Sequence, residues 1–124
     1  EDYIALFSRA EDVASLMPDM HALKRLDARG VAATAPGSNF DFISRFFAPK
    51  LGIDEDPVTG SVHCALTPYW SARQKKKTLR ARQISARGGE LTCTDRGDRI
   101  GIAGTAVKYM EGIISIGDTT TGAR

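Results

Sequence analysis

Asp54-Glu55-Asp56-Pro57-Val58-Thr59-Gly60-Ser61 runs without interruption into Val62-His63-Cys64-Ala65-Leu66-Thr67-Pro68-Tyr69-Trp70-Ser71-Ala72-Arg73. The second part reads as a helix over Ser61 to Arg73. Its apolar residues, Val62, Ala65, Leu66, Tyr69 and Trp70, are spread nearly all round the axis, as in a helix enclosed by other elements. Pro68 removes a backbone donor from the middle and is expected to bend the helix locally. What surrounds this helix decides the architecture.

Working outward, short strand and turn signals dominate. Tyr3 to Phe7 is an apolar run of strand length, and Glu11 to Met17 makes one or two helical turns closed by Pro18. Asp19 to Arg25 forms a second short helix capped near Asp19. Gly30 to Ala35 is a strand ended by the Pro36-Gly37 turn. In Phe40 to Phe47, Phe40, Phe42 and Phe46 share one face at period two while Ile43 and Phe47 take the other, so this strand needs cover on both sides. Ala48 to Asp56 reads as a loop, acidic toward its end. Beyond the helix, strands are expected over Leu79 to Ala86, Glu90 to Thr94, Arg99 to Ala103 and Ala106 to Ile116, with turns at Arg87-Gly88-Gly89 and Asp95 to Asp98. The pattern predicts an α+β domain over residues 1–117, with six or seven strands of a curved mixed or antiparallel sheet, half-barrel to barrel, wrapped around one central helix. Residues 118–124 are expected to be a loose polar tail.

Composition sets limits on function. At 124 residues the chain can enclose one core, and its 42% hydrophobic and 26% charged content is that of a globular protein. A net charge of +2 gives no reason to expect a nucleic-acid partner. The one basic run, Arg73-Gln74-Lys75-Lys76-Lys77, lacks interleaved aromatics and reads as a solvated helix end. No apolar run reaches the length of about 20 that spans a bilayer, so no membrane association is expected. Cys64 and Cys93 form no CxxC pair, and with two His in all there is no zinc signature. Two reduced thiols and a cytoplasmic location are the expectation.

The stretch before the helix carries the chemistry. The first turn of a helix leaves backbone N–H groups unpaired at the positive end of the dipole. Gly60 admits a ligand close to the backbone, and Thr59 and Ser61 add hydroxyls, so the N–H groups of Gly60, Ser61 and Val62 are placed to hold a carboxylate or phosphate. The same residues also read as an ordinary N-cap, with Thr59 capping and three acids satisfying the dipole.

A longer string resembles a known family. Ser44-Arg45-Phe46-Phe47-Ala48-Pro49 followed by Gly52 to Leu66, then Gln83-Ile84-Ser85-Ala86-Arg87-Gly88-Gly89 and Gly104-Thr105-Ala106-Val107, is similar in content and order to the motifs of phenazine-biosynthesis-like (PhzF-like) proteins. The resemblance implies a diaminopimelate-epimerase-like fold of two similar halves, of which this chain would be the C-terminal one. It also implies isomerisation by proton transfer on a small carboxylate-bearing substrate, with no metal or organic cofactor, in a biosynthetic setting. By it, Asp56 matches an active-site acid, and Gly60 and Ser61 match helix-start residues that hold substrate. The family's principal catalytic Glu lies in the other half, and no segment here matches it. The chain opens at Glu1 rather than Met, near or after the expected junction of the halves. Homodimerisation, or association with the absent half, follows as an expectation.

His63 and Arg87 are candidates for the rim of the site. Adjacent His63 and Cys64 point about 100° apart on a helix, which suits a nucleophile pair poorly. Arg45 is expected to stack on a neighbouring Phe or pair with an acid such as Asp41, and Tyr69 and Trp70 to lie in the core. The competing functions are a catalytically silent anion-binding module and a self-associating structural domain.

Overall fold

The computed structural model describes residues 1–116. Eleven elements follow one another among the described residues. β1 (Asp2–Leu6), α1 (Ala10–Ala14), α2 (Met20–Arg25), β2 (Gly30–Pro36) and β3 (Phe42–Ala48) come first. A 3-10 turn (Pro49–Leu51) leads to β4 (Ile53–Glu55), and then come α3 (Gly60–Gln74), β5 (Thr78–Gln83), β6 (Gly89–Asp95) and β7 (Ile100–Ala103). All seven strands belong to one sheet of order β1-β2-β3-β5-β6-β7, with β4 attached to β3. The sheet is mixed: β1 and β2 are parallel, as are β3 and β5, and the other neighbours are antiparallel.

The two-sided aromatic pattern of β3 has the consequence it implies. Phe42, Phe46 and Ala48 pack with Val62, Leu66 and Trp70 of α3, together with Ala32, Leu79, Ala81, Leu91 and Cys93. Ile43 and Phe47 face the other way and pack with Val13, Ala33 and Ala35, joined by Leu16, Met20 and Leu23 from the α1–α2 region. Strands β2 and β3 are thus buried on both faces, whereas β5 alternates, with Leu79, Ala81 and Gln83 inward and Thr78, Arg80 and Arg82 exposed. Each buried Leu- or Phe-sized side chain contributes roughly 1.5–3 kcal/mol of transfer free energy, so both layers are needed to hold the sheet. Trp70 stacks on Phe42 with rings 5.8 Å apart, and its indole N–H donates to Thr34 Oγ1 at 3.1 Å, in the core as expected.

Asp19 caps α2 through its side chain, accepting from the Ala22 amide at 3.0 Å. Arg45 stacks over Phe47 at 4.8 Å, but its acid is Glu55, at 2.7 and 2.8 Å, not Asp41. The β3–β4 pairing sets Phe47 opposite Glu55 and so brings that carboxylate to Arg45, while Asp41 is taken by Lys76 at 2.6 Å.

Three expectations are corrected. Ala48–Asp56 is not a plain loop: Pro49 starts the 3-10 turn, left-handed Gly52 ends it, and Ile53–Glu55 then pairs with β3. The central helix is not wrapped; α3 lays one face on an open sheet and leaves Ser61, Cys64, Ala65 and Pro68 exposed. With Pro68 on that outer face, the carbonyl four residues back loses its usual donor where water can reach it. Ala106–Ile116 carries no strand; of its apolar residues, Val107, Tyr109 and Ile113 are more than nine-tenths exposed. A strand needs a partner ladder and a face to bury, and among the described residues neither is offered to this segment. The expected tail at 118–124 lies outside the described residues.

Candidate active site at the start of the central helix

The position of the site follows from how β3 shares its second edge. Phe42 to Ser44 pair with Ala81 to Gln83 of β5, and Phe47 and Ala48 pair with Glu55 and Ile53 of β4. At the join, the Ile84 amide donates to the Ser44 carbonyl at 2.8 Å and the Asp56 amide donates to the Phe46 carbonyl at 3.0 Å. The two strands part there, and residues 56–59 rise from the fork into α3.

Gln83 closes the fork. The period-two alternation of β5 turns it inward, where it is fully buried. Its Oε1 accepts the Thr59 amide at 2.8 Å, and its Nε2 donates to the Asp56 carbonyl at 2.6 Å and to Thr59 Oγ1 at 3.1 Å. Thr59 Oγ1 in turn donates to Asp56 Oδ2 at 2.6 Å. Ser85 Oγ donates to the Pro57 carbonyl at 2.7 Å and accepts the Gly88 amide at 2.9 Å. Val58 packs against Gly89, where an added Cβ would lie 2.4 Å from Val58 Cγ2. The loop is therefore held from the β5–β6 side at every residue from Asp56 to Thr59.

This network overturns the reading of Thr59 as a side-chain cap. Thr59 is the N-cap residue, but its hydroxyl is turned to Asp56 and makes no capping bond. The N–H groups of Gly60, Ser61 and Val62 consequently find no acceptor among the described residues, and the first helical bond is from the His63 amide to the Thr59 carbonyl at 3.4 Å. Gly60 and Ser61 are exposed, and nothing lies within 4 Å of a Cβ built on Gly60. The helix start is open.

In front of it is a cavity of about 210 Å³. Asp56, Thr59, Ser61 and Arg29 supply its polar wall, and Phe46, Leu51 and Ile53 the apolar one. Larger hollows exist, including one of about 330 Å³ beside Arg80 and Glu90, but it holds neither Asp56 nor any residue of the helix start. We take the smaller cavity as the candidate site because Ser61 of the open helix start, a carboxylate and a guanidinium all line it.

His63 is not at the rim. It is buried beneath the helix, with Nδ1 2.8 Å from the Thr59 carbonyl and Nε2 3.5 Å from Ser44 Oγ. A carbonyl only accepts, so Nδ1 carries the proton and the ring braces the first turn. Burial pushes its pKa below the usual value, the bond to Thr59 opposing in part. Arg87 is exposed on the turn beyond β5 and pairs with no acid among the described residues. The open face of α3 leaves the Cys64 thiol exposed, while Cys93 is buried and both are free. Among the described residues no three His, Cys, Asp or Glu converge as metal ligands, and no helix is long and apolar enough to cross a membrane.

Sequence reading missed two residues here. Gln83 was visible only as part of a motif, though a lone polar residue at the inward end of an alternating strand is a usable signal. Arg29 follows a short charged stretch and gave none.

Comparison with known proteins places the chain. Residues 1–112 match the family model for phenazine biosynthesis-like proteins, PhzC-PhzF. An uncharacterized isomerase of Pseudomonas aeruginosa is 53% identical over 113 residues, covering 91% of this chain and 43% of that protein. An uncharacterized isomerase of Halalkalibacterium halodurans is 40% identical over 111 residues, covering 88% of this chain and 42% of its own length. Among solved structures, a PhzF-family phenazine biosynthesis protein from Enterococcus faecalis superposes with a TM-score of 0.82 at 46% identity, over 91% of this chain and 44% of that one. The chain belongs to the phenazine biosynthesis-like family, whose relatives here include proteins named as isomerases. It spans less than half the length of the relatives it matches.

Two predictions follow from the packing of this site. Replacing Gln83 with Leu strands the Thr59 amide and the Asp56 carbonyl, so denaturant unfolding is expected to show a loss of roughly 3 kcal/mol. A loss below about 0.5 kcal/mol would show that the fork does not depend on this amide. His63 is ordinary when unfolded and depressed when folded, so above pH 6.5 both states are neutral and it adds no pH dependence. As pH falls through 6.5 only the unfolded chain takes up the proton, and stability drops. His63→Gln should flatten that slope in a pH series of melts; an unchanged slope assigns it to other groups.

Proposed function

We propose that this chain supplies one wall of an isomerase site that moves a proton on a small carboxylate-bearing metabolite. The observation that carries this reading is the uncapped start of α3. Three consecutive amides lack an acceptor among the described residues, and one of the three residues, Ser61, lines a cavity that also holds Asp56, in a family whose relatives include named isomerases.

The chemistry needs three things. A base must reach the carbon that loses its proton, a donor must return the proton, and fixed dipoles must stabilise the charge that develops between the two steps. The Gly60, Ser61 and Val62 amides, at the positive end of a 15-residue helix, hold the substrate carboxylate and favour the charged intermediate. Asp56, with Oδ2 fixed by Thr59, has its carboxylate directed by the loop to receive or deliver a proton. Amides that stabilise charge need no metal to do so. The second acid–base group comes from outside the described residues, since Asp56 is the only carboxylate among them that lines the cavity.

That requirement makes the partner part of the function. Val107, Tyr109, Met110, Ile113, Ile114 and Ile116 are 82–98% exposed, an apolar segment of the kind that becomes buried against another surface. The other half of a longer protein, or a second copy of this chain, fits the role. Alone in solution the chain is expected to self-associate, and sedimentation showing a clean monomer at tens of micromolar would end the homodimer form of this proposal.

Function is tested by isotope exchange. The chain, alone and fused to the remainder of the 53% identical relative, is incubated in D2O with small carboxylates bearing a C–H next to a double bond or carbonyl. Deuterium is expected in the recovered carboxylate, and Asp56→Ala should slow its entry by about a hundredfold or more. Incorporation that survives Asp56→Ala removes Asp56 from the reaction. Binding without exchange in either form leaves the anion-binding module as the correct description.

A further inference from the structure

The face of the sheet turned away from α3 carries its own concentration of positive charge. In β5, Leu79 and Ala81 pack toward the helix, so the alternating Thr78, Arg80 and Arg82 point outward. Both guanidiniums lie over one ring. Arg80 Cζ is 5.0 Å from the centre of Phe40, and Arg82 Cζ is 5.7 Å from it. Phe40 precedes β3 and does not join Phe42 and Phe46 in the core, contrary to the period-two expectation. Its neighbour fixes it there. The Asp41 amide donates to the Arg80 carbonyl at 2.8 Å, and Asp41 Oδ2 accepts the Arg80 amide at 2.7 Å.

Neither guanidinium is matched to an acid. The Asp41 carboxylate is occupied by the Arg80 amide and by Lys76, at 2.6 Å. Glu90 stands opposite Arg82 in the β5–β6 register and makes no ion pair with it. Its one approach is to Arg80 Nη2 at 3.9 Å, beyond hydrogen-bond reach and with both side chains more than half exposed, so this pair is weak. Two cations therefore share one aromatic ring with a single distant counter-charge.

A cavity of about 330 Å³ opens beside them, and Phe40, Arg80, Glu90, Thr92, Gly104 and Thr105 are among the residues that line it. Thr92 is the β6 residue opposite Arg80. The chain leaves β7 at Gly104, and the Gly104 and Thr105 amides find no acceptor among the described residues. Guanidinium, hydroxyl and backbone donors thus outnumber the one carboxylate. A carboxylate, with one charge and two oxygens, is satisfied by a single guanidinium. A phosphate monoester carries nearly two charges at neutral pH and three acceptor oxygens, which calls for the second guanidinium and for further donors. The volume is within the range of small-ligand sites, about 300–1,000 Å³, and leaves space for an organic body beside Phe40.

We propose that this outer-face cavity is a second binding site, for a small phosphate monoester gripped by Arg80 and Arg82 together. It shares no residue with the cavity at the helix start and does not depend on the function proposed above. Glu90 is the internal competitor: it offsets part of the Arg80 charge and gives way when the ligand arrives. Two arginines that merely keep the sheet face solvated would make no such demand of Glu90.

The test is a titration of the 15N-labelled 124-residue chain with phenyl phosphate at constant ionic strength, following the Thr92, Gly104 and Thr105 amides. At about pH 7.5 the monoester is doubly ionised. Saturating shifts are expected at those amides, with benzoate at least about tenfold weaker there. Arg80→Gln and Arg82→Gln should each weaken phenyl phosphate about tenfold, while Lys24→Gln, which removes an exposed charge on α2, should leave it unchanged. Glu90→Gln keeps both arginines and should tighten binding about threefold. Shifts that never saturate, or that appear at Gly60 and Ser61 with Thr92, Gly104 and Thr105 unmoved, would overturn the proposal and leave the helix-start reading untouched. So would equal losses in Lys24→Gln and the arginine variants, wild-type affinity in Arg82→Gln, or weaker binding in Glu90→Gln.

Discussion

The buried amide of Gln83 is the contact on which the site depends. Where β4 and β5 part along the edge of β3, the chain must leave the sheet, cross the fork and start a helix within four residues. A backbone loop in that position has polar groups that the sheet cannot pair. One side chain, buried and using both ends of its amide, takes the Thr59 N–H and the Asp56 carbonyl and also donates to the Thr59 hydroxyl. Because Gln83 engages Thr59 in this way, the hydroxyl bonds to the Asp56 carboxylate and not to the helix amides. The same interaction that stabilises the loop leaves the helix start uncapped.

An uncapped helix start costs stability, commonly about 1 kcal/mol relative to a good side-chain cap. That cost is consistent with a binding site, since the groups that a cap would satisfy are then available to a ligand. The surroundings support the same arrangement. His63 braces the first turn from beneath in its neutral form, Gly60 leaves the front clear, and Ser85 and Val58 fix the loop from the far side. The rigid parts come from strands and the buried helix face. The open parts, Gly60 and Ser61 at the helix start, are exposed among the described residues.

Much of this was legible in the sequence. Alternating aromatics over Phe42 to Phe47 announced a strand covered on both faces, and the Asp56-to-Ser61 string announced the helix start and its family. Which faces and edges the sheet covers was not legible. The apolar residues of α3 read as a helix enclosed on all sides, but an enclosed helix and a helix with one exposed face can have the same composition. For the same reason Ala106–Ile116 reads as a strand and is found unpaired: strand propensity does not supply a neighbour. The short β4 was hidden because Ile53 to Glu55 takes its conformation from β3, not from its own acidic residues. The direction of the Thr59 hydroxyl depended on Gln83, 24 residues away, which no local pattern reveals.

The central claim is that the open amides of α3, beside Asp56, hold a carboxylate. The most direct test is a crystal structure grown with 4-bromobenzoate, in which the bromine locates the ligand by anomalous scattering. The open-amide site predicts carboxylate oxygens within about 3.2 Å of amide nitrogens among Gly60, Ser61 and Val62, with the bromine against Phe46, Leu51 or Ile53. A ligand bound elsewhere with the helix start vacant, or those amides closed by a side chain of the protein, would contradict it.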